Sequence, residues 1–134
     1  MSRKNSENQP DADFEIRFLE GILRESPNFK EALAILGNLY TKRGLYAQGL
    51  EVDKKLARLK PFDPIVFYNL ACSYSLLEDI PRALETLKEA LSLGYDDFHY
   101  LMADADLVNL RQDTRFHELV KQAQSLRPNR GHTP

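Results

Sequence analysis

Two stretches of this chain are written on one template, and the template is helical. Leu36 and Leu70, Gly37 and Ala71, Tyr40 and Tyr74, and Gly49 and Ala83 each stand 34 positions apart. A fixed interval of this length means that one supersecondary unit has been used twice, and that neither copy buries its apolar face alone. Within each copy the apolar residues recur at spacings of three and four, the period of one helix face. Small residues at positions 37, 71, 49 and 83 let paired helices approach closely, while Leu36, Leu70, Tyr40 and Tyr74 fill the space beside each crossing.

Helix punctuation divides the rest. Pro27, Gly44, Pro61, the 79–81 stretch and Gly94 each interrupt a helical period, and no stretch alternates as a strand would. A first helix over 12–25 carries Phe14, Phe18 and Ile22 with Leu19 and Leu23 as its apolar stripe. A second, over 29–42, is expected to be capped by Asn28 with Glu31 three residues on, and to stop at a left-handed Gly44. A third runs over 46–59 with Gly49, Leu50, Leu56 and Leu59. Asp63 followed by Pro64 is a start signal for a fourth, with Phe67, Leu70, Ala71 and Tyr74, and a fifth after Pro81 carries Ala83, Leu84, Leu87, Ala90 and Leu91. Beyond Gly94 the pattern continues as a short helical run through Leu110 and a second, capped by Asp113 or Thr114, through Ala123. The expected fold class is all-α, with polar, flexible tails at 1–11, which hold Pro10, and at 127–134.

Composition narrows the partners. The 134 residues, with 18 Lys plus Arg against 20 Asp plus Glu and a net charge of -2, carry no broad basic footprint for nucleic acid. No apolar run approaches the roughly 20 residues that cross a bilayer, the single Cys72 has no partner for an internal disulfide, and the first residues lack the apolar stretch of a signal peptide. A cytoplasmic protein without membrane or nucleic-acid partners is expected.

A 34-residue helix-turn-helix period bearing Leu36-Gly37 and Tyr40, then Gly44, Tyr46, Gly49 and Pro61, followed by Phe67, Leu70-Ala71, Tyr74, Ala83 and Ala90, resembles the tetratricopeptide repeat. The departures are Leu33 in place of an aromatic, Asp53 where an aromatic usually packs, Leu56 for Ala, and Tyr95 for the closing Pro. Val52 is expected to turn inward instead of Asp53. The resemblance implies one domain over 12–126, a right-handed superhelical array of antiparallel helix pairs: a half repeat at 12–29, repeats at 30–63 and 64–97, and a degenerate cap at 98–126. It also implies a concave groove lined by the first helix of each repeat, here Glu31, Ala34, Asn38, Thr41 and Lys42, then Ile65, Tyr68, Asn69, Cys72, Ser75 and Leu76. The alternative is that the cap, including Phe98, Leu101 and Met102, folds against Ile65, Tyr68 and Leu76. Asn38 and Asn69 match two positions of the carboxylate clamp of some family members, but Ala34, His99 and Ala103 stand where its cations belong, so no such clamp is expected.

Reactive chemistry has little support. His99, Asp104, Asp106 and His117 share the cap but match no metal-ligand spacing. Cys72 lies in a helix without a sequence-adjacent cation to activate it, and "KRG" at 42–44 follows no strand, as a phosphate loop would require. Arg127, Arg130 and His132 read as solvated tail charge. The expected function is a non-catalytic adaptor, without cofactor or metal, that binds a protein or peptide partner in the groove. The alternative is a homodimer in which the exposed side of the first helix, Phe14, Phe18 and Ile22, completes its missing half repeat in another copy.

Overall fold

The computed structural model describes residues 3–126, so the tail expected at 127–134 lies outside the described residues. All the regular structure among them is helical. The chain divides into two compact units, 1–61 and 62–134, and the division falls beside the boundary expected between the repeats at 63–64.

Unit 1 holds α1 (Arg3–Glu25), α2 (Lys30–Lys42) and α3 (Tyr46–Leu59), with α1 packed on α2 and α2 on α3. The first helix begins at Arg3, so most of the stretch expected as a tail is helical: each residue added to a helix already nucleated by packing gains a hydrogen bond, which favours propagation. Its stripe is also rotated from expectation. Ile16 and Leu19 enter the core with Ala32, Leu36 and Tyr40, Ile22 and Leu23 pack beside them, and Phe14 and Phe18 are 62% and 59% exposed. Arg43 pairs with Asp13 and the Tyr40 hydroxyl donates to Glu20, which fixes α1 against α2. The cap expected from Asn28 does not form; Phe29 takes the capping position, without a side-chain hydrogen bond.

Gly49 sits where α3 crosses α2. A Cβ there would stand 3.0 Å from Thr41 Oγ1, which explains the small residue at that repeat position. Asp53 is buried, contrary to expectation, in the room left by the missing side chain of Gly37, and Val52 packs half-buried beside it. At the α2 end, Gly44 has φ 78°, its N–H bonds to Thr41 O at 3.0 Å, and Leu45 N–H bonds to Tyr40 O at 2.8 Å. This paired pattern is the Schellman turn.

Unit 2 holds α4 (Pro64–Leu76), α5 (Ile80–Ser92), α6 (Phe98–Ala103), a 3-10 turn (Ala105–Leu107), α7 (Val108–Arg111) and α8 (Thr114–Leu126). Asp63 caps α4 as expected, accepting from Ile65 N at 2.9 Å. The same Schellman pattern closes α4, with Glu78 N–H to Ser75 O at 2.9 Å and Asp79 N–H to Tyr74 O at 2.9 Å, although Glu78 at φ 61° occupies the left-handed position. The core joins Ala71, Ala83, Leu87 and Ala90 of the helix pair to Leu101, Leu107, Leu110 and Phe116 from the segment that follows. That segment is broken at Asp104 and does not form the single run expected through Leu110. Asp104 has extended backbone and its carboxylate accepts from Asp106 N–H at 3.0 Å, so a new turn starts there.

Candidate functional site

The expected groove residues divide sharply by exposure. On α2, Glu31, Ala34, Asn38 and Lys42 are exposed, and Ile35 between them is 52% exposed, because the buried face of this helix is already spent on Ala32, Leu33, Leu36, Gly37 and Tyr40. Thr41 departs from the set: it is half-buried and its hydroxyl donates to Gly37 O at 3.1 Å. The open strip of α2 is therefore a mixed surface, apolar at Ala34 and Ile35, amide at Asn38 and charged at its ends, Glu31 and Lys42.

On α4, Ile65 is 55% exposed and Asn69 is exposed, but Tyr68, Cys72 and Ser75 are buried, and Leu76 is half-buried. Most of the groove lining expected on this helix is thus not open surface. Ser75 O accepts from Asn109 Nδ2 at 3.0 Å, Ser75 Oγ accepts from Leu110 N–H at 3.2 Å, and the Tyr68 hydroxyl donates to Asp104 Oδ2 at 2.6 Å. The physical reason lies in the sequence of α4. It is apolar on nearly its whole circumference, with Val66, Leu70, Ala71 and Ser73 buried as well, and such a helix needs a covering on each side. The cap supplies it through Leu101, Leu107 and Leu110, whereas Met102, expected to share this task, is exposed.

Burial sets the chemistry of these groups. The Cys72 thiol, 3.8 Å from Asp104 Oδ2, is pushed well up by burial first and then by the charges of Asp104 and Asp106, so it stays protonated and is a poor nucleophile. The Tyr68 phenol is pushed far above the ordinary range, chiefly by burial and then by Cys72 and its hydrogen bond to Asp104. Its ring stacks on Tyr95 with centroids 4.3 Å apart and planes 6° from parallel, and Tyr100 lies tilted beside it.

The residues considered for metal chemistry are not brought together. Asp104 serves Tyr68 and the Asp106 N–H, the His117 ring nitrogen Nε2 lies 2.8 Å from Arg111 O, and His99 is exposed. Among the described residues, no group of three or more His, Cys, Asp or Glu side chains is placed to hold a metal ion. A feature that sequence reasoning missed is an open depression of about 610 Å³ between α5 and α8, floored by Leu84 and Leu119 and rimmed by Glu85, Lys88, Arg115 and Glu118. Its charges alternate in sign, which leaves no electrostatic signature for a ligand.

No family model matches the chain. It is 37% identical over 89 residues to a protein of Arabidopsis thaliana named as chloroplastic; the match covers 64% of this chain and 27% of the plant protein's length. No helix among the described residues is long and apolar enough to cross a membrane.

Proposed function

We propose that this chain is a non-catalytic adaptor of tetratricopeptide type, a superhelical array of helix pairs that binds a segment of a partner protein. Its partner surface is the strip Glu31, Ala34, Ile35, Asn38 and Lys42 of α2 in unit 1; within unit 2, Ile65 and Asn69 are the exposed members of the set expected on α4. The observation that carries the reading is the exposed α2 strip, with Ala34, Ile35 and Asn38 between the charged ends Glu31 and Lys42, on a helix whose opposite face is used by the core. The repeated Schellman turns 34 residues apart, at Gly44 and Glu78, support the repeat architecture. The deep thiol and the dispersed histidines favour binding over turnover. The cytoplasm is the expected compartment; the plant relative, named as chloroplastic, makes a plastid the rival, and imaging of a tagged full-length protein separates them.

The test is affinity capture from the native extract with wild type, Asn38→Ala, Ile35→Asp and, as a control on the α5 surface of unit 2, Glu85→Ala. One partner retained by wild type and Glu85→Ala but lost from Ile35→Asp supports the adaptor. Equal capture by all four, or none by wild type, overturns it.

One observation favours a second reading. Phe14 and Phe18 are exposed and stacked, with ring centroids 6.2 Å apart, an apolar face on α1 that a second copy would cover. Ile22, expected on the same open face, packs instead against the unit 1 core. Light scattering of wild type and Phe14→Asp decides: a dimer that the substitution dissociates establishes self-association, and a monomer at high concentration removes it.

A further inference from the structure

The exposed strip of α2 has a narrow seam at its centre. Glu31, Ile35, Asn38 and Lys42 follow one another at spacings of four, three and four, which sets them in one line along the helix, and all four are exposed. The other sides of the helix are taken. Ala32, Leu36 and Tyr40 join the core that α1 shares, while Gly37 and Thr41 stand at the crossing with α3, so the seam faces away from both neighbours in unit 1. Ala34, exposed beside Ile35, is small enough to let another helix approach.

The ends of the seam carry opposite charges. Glu31 stands in the first turn of α2 and Lys42 in the last, where each suits the helix dipole. At 1.5 Å of rise per residue they lie roughly 16 Å apart, too far to pair with one another. Among the described residues no ion pair reaches either of them. This order of charges is complementary to itself when reversed. Against an antiparallel second copy, about a two-fold axis between residues 36 and 37, Glu31 faces Lys42 at each end and Ile35 faces Asn38 at each inner position. A parallel pairing would instead set Glu31 against Glu31 and Lys42 against Lys42.

We infer that the occupant of the α2 strip is a second copy of this chain, docked as an antiparallel α2 pair with two Glu31 to Lys42 contacts flanking Ile35 and Asn38. The two Asn38 amides then fall about 5 Å apart along the pair, within reach of each other, and a polar contact inside an apolar seam fixes register. The antiparallel arrangement also sets the start of each helix beside the end of the other, so the two dipoles attract. The inference rests on the reading of this strip as the partner surface and names what covers it, on a different helix from the α1 face of the second reading. So few side chains bury far less than the roughly 800 Å² per partner of a standard interface, which makes the pair a transient one that forms at high local concentration.

Self-association of the full chain is followed by translational diffusion at low salt, up to about 1 mM, for wild type, Glu31→Lys, Lys42→Glu and an equimolar mixture of the two variants. In either variant alone both contacts become like-charged; in the mixture each contact again joins opposite charges. Wild type should dimerise, each variant about tenfold more weakly, and the mixture to within about threefold of wild type, with amide spectra certifying an intact fold. A wild type that stays monomeric throughout, variants that pair as tightly as wild type, or a mixture no tighter than its components overturns the inference. A dimer lost from Phe14→Asp and kept by both charge variants also overturns it and assigns the pairing to α1. The two levels fail separately. If the charge variants leave self-association unchanged while Ile35→Asp loses a different captured protein, the adaptor stands and the second copy falls; if the mixture restores the pair but the extract yields no other protein, the second copy stands and the adaptor falls.

Discussion

The first helices of the two repeats, α2 and α4, share a template and meet different fates. Each ends in a Schellman turn whose donors bond to equivalent carbonyls, Tyr40 and Thr41 in one, Tyr74 and Ser75 in the other. Yet α2 keeps Glu31, Ala34, Asn38 and Lys42 in solvent, while the matching face of α4 is buried from Tyr68 to Ser75. Even the shared tyrosines diverge: Tyr40 is buried and bonded to Glu20, whereas Tyr74 is half-buried. Equivalence of backbone does not carry equivalence of surface, because exposure depends on what the chain lays down next.

The strongest way to break this contrast is to remove what covers α4. Leu110, with no exposed surface, packs in the core where its N–H meets Ser75. Leu110→Ala should cost about 3 kcal/mol of unfolding free energy in urea, and Cys72 should react faster with a disulfide reagent. Undiminished stability would mean that the cap does not hold α4 closed.

The turns give a sharper test because the same backbone carries Gly44 in one copy and Glu78 in the other. Gly44→Ala places a Cβ in the left-handed region and should cost about 1 kcal/mol, while Glu78→Gly relieves that strain and should gain about 1 kcal/mol. Thermal melts of the two variants moving in the same direction would refute the equivalence.

Helix starts differ in the same instructive way. Asp63 caps α4 and Phe29, at the corresponding place before α2, caps nothing. Asp63→Ala should lose about 1 kcal/mol, and Phe29→Asp should gain about 0.5 kcal/mol by supplying the missing acceptor. Chemical denaturation of each checks the pair.

The smallest effect concerns two phenols. Tyr40 in unit 1 and Tyr95 in unit 2 are both raised from 10.0 to about 12 by burial, with the Glu20 hydrogen bond as a second cause at Tyr40 alone. A raised pKa favours the neutral form in the fold, so the contribution is present in full below about pH 10 and is lost as pH rises through about 12. Glu20→Gln should move the Tyr40 titration downward and leave Tyr95 in place, followed by the ring carbon shifts of each tyrosine. A shift at both would show that burial by itself does not explain Tyr95.

Much of the helix layout was legible because its signals are local. Asp63-Pro64 started α4, Gly44 ended α2, and the spacing of Ala83, Leu87 and Ala90 marked a buried face. The site was less legible. Tyr68 and Cys72 look identical to open groove residues in the linear text, and their burial depends on Asp104, 36 and 32 positions away. The rotation of α1 was hidden for a related reason: Phe14 and Phe18 form as good a stripe as Ile16 and Leu19, and only the docking partner chooses between them. Glu78 was invisible because its left-handed backbone runs against its residue type.

The break at Asp104 also imposes an order of events on the ribosome. Tyr68 and Cys72 are synthesised well before the residues that shelter them, and at about 5–20 residues per second the nascent chain displays a sticky, thiol-bearing helix for a few seconds. A premature stop just after Gly94 would make that display permanent, so truncated products are candidates for chaperone retention and degradation.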